Sequence, residues 1–225
     1  MDTTRADAVG PDAVGVTTPS LNALMARGRR FTQAYAAVPE TLPSHTTLMT
    51  GLYPAGHGVH ENARYVPAAT PLLAEQLQKA GYRTSAFVSS FVLARRFGLA
   101  RGFDVYDDQL GGDAVKRPAA DTAAAVAAQL ATPSTQPRFI WVHFNDPHTP
   151  YAPPEPFKSQ YPKSPYLAEV ASMDREIGRV VSAFEAATPE PRAIVVVADH
   201  GEGLGDHGEA THGHLLYQST MHVPL

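Results

Sequence analysis

The sequence predicts an α/β fold with a mostly parallel sheet. Three observations carry that prediction. Ala193-Ile194-Val195-Val196-Val197-Ala198 is an unbroken apolar, β-branched run, the pattern of a strand buried on both faces. Phe139-Ile140-Trp141-Val142-His143-Phe144 is a second strand-like run. Helical stretches and turn residues alternate with these runs, as βα units require.

Each element has its own justification. Thr46 to Met49 reads as helix-like, entered through the Pro43-Ser44-His45 turn. Pro71 to Ala80 places Leu72, Leu73, Leu77 and Ala80 on one side, and Gly81 ends the helix in the manner of a C′ residue. Thr84 to Val88 reads as a strand. Asp121 to Leu130 is Ala-rich and helical, with Asp121 as its cap. Pro150 to Pro165 holds six prolines and reads as an irregular loop, the kind of segment that selects substrates. Tyr166 to Ala187 is a long helix whose apolar positions are Val170, Met173, Ile177, Val180, Val181 and Phe184. No repeat or low-complexity tract interrupts the pattern.

Composition sets outer bounds. A chain of 225 residues with 44% hydrophobic content suits a single α/β domain over 1–225, or a large piece of one. A net charge of −4 argues against nucleic acid as a partner. No apolar run approaches the roughly 18 residues that a membrane span needs. The absence of cysteine fits either redox compartment.

The chemistry concentrates in three places. Thr41 stands just before Pro43-Ser44-His45 at the mouth of a helix, where unpaired N–H groups and the helix dipole favour an anion. The same pattern is also ordinary capping. The apolar run 193–198 stops at Asp199-His200-Gly201-Glu202, and open α/β sheets bind ligands beyond strand ends. Asp-His is a ligand pair suited to a divalent cation, although an Asp cap beside a structural His would look the same. Asp2 supplies the third piece, a second carboxylate. Asp2, Thr41, Asp199 and His200 together make a four-ligand metal site in which the Thr41 hydroxyl is activated.

These pieces occur in an order that resembles the sulfatase-like branch of the alkaline phosphatase superfamily. The resemblance rests on Asp2-Thr3-Thr4-Arg5-Ala6-Asp7, Thr18-Pro19-Ser20-Leu21-Asn22, Thr41-Leu42-Pro43-Ser44-His45 and Gly51-Leu52-Tyr53-Pro54. It continues through Asp146-Pro147-His148, Met173-Asp174, Asp199-His200-Gly201-Glu202 and His212-Gly213-His214. It implies a three-layer αβα fold with a mostly parallel central sheet. Relatives open with an apolar strand before the metal-binding Asp and continue past the last residue here. The resemblance therefore implies a catalytic domain lacking its first strand and C-terminal portion, inactive and weak in metal binding by itself.

The departures from the family are informative. Sulfatases of this branch oxidise a Cys or Ser to formylglycine. Here Thr41 takes that position, and its β-methyl group blocks the same oxidation. Thr nucleophiles resemble those of phosphodiesterase and phosphonate monoesterase relatives, as does His45 in place of Arg. Thr3 follows Asp2 where sulfatases carry a second Asp. With one hard ligand fewer and His200 present, zinc or manganese is favoured over calcium. The resemblance also assigns substrate contact to Asn62, and leaving-group assistance to His148 with His212 or His214. A second-metal variant uses Asp146, His148 and His214. His60, His207 and His222 read as surface or structural residues.

The implied function is metal-dependent hydrolysis or transfer of phosphate esters through the Thr41 nucleophile, on a small-molecule, lipid or carbohydrate ester. Two alternatives are a sulfuric ester hydrolase that dispenses with formylglycine, and a non-catalytic module that binds metal and anion.

Overall fold

The computed structural model describes residues 1–111, 116–189 and 191–225. In chain order its α-helices are α1 (Pro19–Arg27), α2 (Thr41–Thr50), α3 (Pro54–His57), α4 (Leu73–Lys79), α5 (Ala119–Leu130), α6 (Phe157–Gln160), α7 (Pro165–Ala187) and α8 (Gln218–Met221). Its strands are β1 (Arg83–Phe87), β2 (Val105–Asp107) and β3 (Arg138–Val142). Contacts divide the chain into two compact units, Glu40–Phe144 and Met1–Pro39 with Asn145–Leu225.

The unit Glu40–Phe144 holds a parallel sheet in the order β2-β1-β3. Ala86 in the middle strand faces Tyr106 on one side and Trp141 on the other. Leu42, Val59, Leu72, Val88 and Leu93 join these residues in one buried apolar cluster. Phe103 extends it, with its ring 5.8 Å from Phe139 and 6.0 Å from Trp141. Parallel strands survive only when both faces are covered, and this cluster covers one of them. The Asp104 carboxylate accepts Thr84 N–H at 2.9 Å and fixes where β1 begins.

Helix α4 follows the expected pattern. Glu75 accepts from Leu72 N–H at 2.8 Å to close its first turn. At the other end Tyr82 N–H reaches back to Leu77 O at 3.0 Å, with Gly81 at φ 88°. This places Gly81 at C′ of a Schellman-type ending. Helix α5 starts earlier than expected, at Ala119 behind Pro118, so Asp121 lies in the first turn and is not the cap.

Helix α2 likewise begins five residues before the expected start. Pro43 falls in the first turn, where a backbone N–H has no intrahelical partner anyway, so the ring breaks nothing. Asn62 Oδ1 accepts from Leu42 N–H at 2.9 Å and satisfies one orphan donor. Gly51 terminates the helix at φ 71°.

In the other unit, α7 runs for 23 residues, capped by Ser164 Oγ accepting from Leu167 N–H at 3.3 Å. Its buried side carries Val170, Met173 and Ile177, together with Asp174. The Asp174 carboxylate accepts from Ser20 N–H at 3.0 Å and Leu21 N–H at 2.8 Å, capping α1 from across the unit. Burial pushes this carboxyl above the usual range against the pull of those donors.

The run 193–198 departs from expectation, because it enters no ladder among the described residues. Among the described residues its backbone bonds lie only at its end. Met1 N donates to Val197 O at 3.0 Å, Asp199 N to Met1 O at 3.1 Å, and Ala198 N to Pro224 O at 3.2 Å. A ladder needs a neighbour running alongside, and here only single residues do so. Val195 is accordingly 77% exposed despite its composition.

Candidate metal centre

Asp2, Asp199 and His200 come together within the unit Met1–Pro39 with Asn145–Leu225. Their relative exposures are 0%, 1% and 0%, and their ligand atoms lie within 4.8 Å of one another. The single bonds at the end of the 193–198 run set this geometry, because Asp199 N–H holds Met1 O beside Asp2. Asp199 Oδ1 also accepts from His200 N–H at 2.8 Å, which orients the carboxylate.

The tautomer of His200 follows from its neighbours. Nδ1 lies 2.9 Å from Gly201 O, a carbonyl that can only accept, so Nδ1 carries the hydrogen. Nε2 then faces Asp2 Oδ1 at 3.7 Å and Asp199 Oδ2 at 3.6 Å. A neutral ring turns a lone pair toward two carboxylates, which is unfavourable without positive charge between them. A proton on Nε2 is one source of that charge. Burial lowers the basicity of His200, but Asp199 and then Asp2 outweigh it, and the net shift is upward. A divalent cation is another source. Two carboxylates and an imidazole whose far nitrogen donates to a carbonyl are the donor set such an ion takes. The residues fit a divalent metal ion.

His148 and His212 form a second cluster in the same unit. His212 Nδ1 lies 3.1 Å from Pro39 O, and His148 Nδ1 contacts Thr149 O, so both Nε2 atoms are acceptors in the neutral rings. Those Nε2 atoms stand 3.3 Å apart, a contact that one shared proton makes favourable. The His212 ring centre is 4.3 Å from that of His200. Burial, then the His200 charge, depresses His212 to about 4. His214 takes a different place. Its N–H donates to Glu209 Oε1 at 2.9 Å, and its ring makes no hydrogen bond or ring contact among the described residues. Asp146, His148 and His214 are not gathered into a ligand group among the described residues. The buried Glu209 carboxylate holds His214 by its backbone and fixes that loop.

Thr41, His45 and Asn62 lie in the unit Glu40–Phe144. Thr41 is the first residue of α2 and is buried. His45, four residues on, sits on the same side of the helix, its ring 4.9 Å from His143 and 5.3 Å from Trp141. Asn62 N–H donates to Glu40 Oε2 at 2.8 Å while its Oδ1 caps α2, so this side chain braces the peptide bearing Thr41. His57 is buried, with Nε2 at 3.1 Å from Thr47 Oγ1. His222 stacks on Tyr35 and His207 on Tyr217, as structural residues do.

Sequence reasoning missed Glu202. It is fully buried, and burial pushes its carboxyl up to about 6 against the Gly203 N–H it accepts. Its place in Asp199-His200-Gly201-Glu202 was the available signal.

The chain thus combines a parallel sheet in one unit with a buried carboxylate–imidazole trio and a paired-histidine cluster in the other, an α/β class of fold. The chain belongs to the sulfatase family, whose sequence profile matches residues 1–225. It is 38% identical over 78 residues to the uncharacterized sulfatase YdeN of Escherichia coli K12, a stretch covering 33% of this chain and 14% of that protein. It is 34% identical over 77 residues to an N-acetylgalactosamine-6-O-sulfatase of Bacteroides thetaiotaomicron, covering 32% and 15%. Among solved structures, the phosphonate monoester hydrolase of Agrobacterium radiobacter superposes with a TM-score of 0.80 at 20% identity, over 100% of this chain and 66% of that one. The chain thus aligns with a small part of the curated relatives and about two thirds of that solved structure. No helix among the described residues is long and apolar enough to cross a membrane.

Proposed function

We propose that this chain carries the catalytic machinery of a metal-dependent hydrolase or transferase of phosphate esters, with Thr41 as the nucleophile. The observation that carries the reading is the gathering of Asp2, Asp199 and His200 into one buried trio. Its substrate is a small-molecule, lipid or carbohydrate ester. Asp2, Asp199 and His200, joined by the Thr41 hydroxyl, would hold a zinc or manganese ion, which would supply Lewis-acid charge when bound.

The side chains divide the remaining work. Thr41 sits at the first position of α2, where helix N–H groups favour the oxygens of an anion. Its oxygen forms the new bond to phosphorus while the bond to the ester oxygen breaks. His45, one turn further along, takes the hydroxyl proton. His148 and His212 hold the proton that the departing alcohol needs. Water or an acceptor alcohol then attacks phosphorus and gives its proton to the pair, while the bond from phosphorus to the Thr41 oxygen breaks and His45 returns the hydroxyl proton. Asn62 keeps the peptide before Leu42 in place.

Phosphate is preferred to sulfate because a chain without cysteine, bearing Thr41, has no route to formylglycine. A second reading, sulfate ester hydrolysis by unmodified Thr41, is favoured by the sulfatase relatives. Aryl phosphate, phosphodiester, phosphonate and sulfate substrates, assayed with a panel of metals on the full-length protein, separate the two. A kcat/KM higher for aryl sulfate selects the second reading. Thr41→Ala should lose about 10³-fold or more in turnover, and a variant within tenfold of wild type contradicts both.

A further inference from the structure

The residue after Asp2 is held in an unusual conformation. Thr3 has φ 43°, a region that β-branched residues rarely adopt, and it is completely buried. Its own hydroxyl does not stabilise this, since Thr3 Oγ1 has no hydrogen-bond partner among the described residues. Support comes from elsewhere. The Tyr166 hydroxyl donates to Thr3 O at 2.9 Å and accepts from Arg5 N–H at 3.0 Å, bracketing the turn from both sides.

The Arg5 side chain completes the clasp. It grips Asp7 through Nε at 2.9 Å and Nη2 at 2.7 Å, and reaches Asp206 Oδ2 at 2.8 Å and Glu202 O at 3.3 Å through Nη1. One guanidinium therefore ties the segment carrying Asp2 to the loop that follows Asp199 and His200. Thr4 Oγ1 closes the turn by donating to Asp2 O at 2.9 Å. Without these bonds Thr3 would relax to negative φ, and the Asp2 carboxylate would swing with it.

We infer that Tyr166 and Arg5 are positioning residues for metal binding, holding the strained Thr3 turn so that Asp2 faces Asp199 and His200. This rests on the metal centre proposed above. Outer partners of metal ligands typically contribute 10–100-fold in affinity.

The test is the affinity of full-length protein for Mn²⁺ and Zn²⁺ by titration calorimetry, with thermal unfolding of the metal-free protein followed alongside. Tyr166→Phe keeps the ring and should weaken Kd by about 10–100-fold. Glycine adopts φ 43° without strain, so in a Thr3→Gly background the same change should cost threefold or less. Asp206→Asn, at an exposed residue, should weaken Kd by about threefold to tenfold and gives the reading if Tyr166→Phe does not fold. A Kd within twofold of wild type in Tyr166→Phe and Asp206→Asn overturns the inference. An equal loss in the wild-type and Thr3→Gly backgrounds also overturns it, because the hydroxyl then acts through packing alone. If wild type takes up no metal, or Asp2→Asn binds as wild type does, the metal centre itself fails and this inference with it. Loss in Asp2→Asn with full binding in Tyr166→Phe overturns the clasp only.

Discussion

Strand β3 (Arg138–Val142) and the run 193–198 look alike as sequence, both largely apolar, with a histidine directly after the first and two residues beyond the second. The first pairs with β1 along five residues. Among the described residues the second bonds only at its end, to Met1 and Pro224, and leaves Val195 exposed. Apolar composition therefore marks a segment able to be a strand, while a neighbour running alongside makes it one. The second run nonetheless fixes Asp199 and His200, because three bonds at its end suffice to anchor the residues that follow. Ladder order and site order are separate properties here.

Three substitutions test this contrast, the largest expected effect first. Ala86→Asp places a charge at the centre of the ladder, at a fully buried position between Tyr106 and Trp141. Burying an uncompensated carboxylate there should cost on the order of 5 kcal/mol and abolish the cooperative denaturant transition. A normal transition would show that the ladder does not organise this unit.

Gly201→Ala probes the anchored end of the second run. A Cβ at this position would stand 2.0 Å from Ser219 O, while Gly201 N–H and Glu202 N–H bond Thr220 O and Ser219 O. The backbone must shift, at about 3 kcal/mol in the same denaturant assay, and metal affinity should fall with it. Unchanged stability and affinity would separate the site from that anchoring. In the chain of residues 1–225, Val195→Asp lies on the exposed part of the same run and should stay within about 0.5 kcal/mol of the unsubstituted chain. A loss approaching that of Ala86→Asp would mean the run is packed as a strand after all.

What was legible in the sequence follows the same division. Helices α4 and α7 were readable to within a few residues, because periodicity, Gly81 and the residues at their ends are local signals. The start of α2 was not. Pro43 resembles a turn signal, and the capping oxygen comes from Asn62, twenty residues away. The parallel pairing of β1 with β3 matched the expected class of sheet, whereas the run 193–198 misled because its composition says nothing about its neighbours. Asp2, Asp199 and His200 could be grouped from the order of their motifs, and the structure brings their ligand atoms together. The bracing of that group could not be read, since Tyr166 and Thr3 are 163 positions apart and a lone tyrosine at a helix start looks ordinary.

The central claim is that Asp2, Asp199 and His200 hold a divalent cation, and metal-dependent thermal unfolding tests it most directly. The full-length protein is stripped with chelator and melted with and without Mn²⁺ or Zn²⁺ at about 100 times Kd. Binding at that level stabilises the folded state by about 2.7 kcal/mol, a rise of roughly 5–10 °C for a folding unit of 150–250 residues. The account predicts that rise in wild type, with one metal bound per chain, and its loss in Asp199→Asn. An equal rise in wild type and Asp199→Asn, or none in wild type, would contradict it.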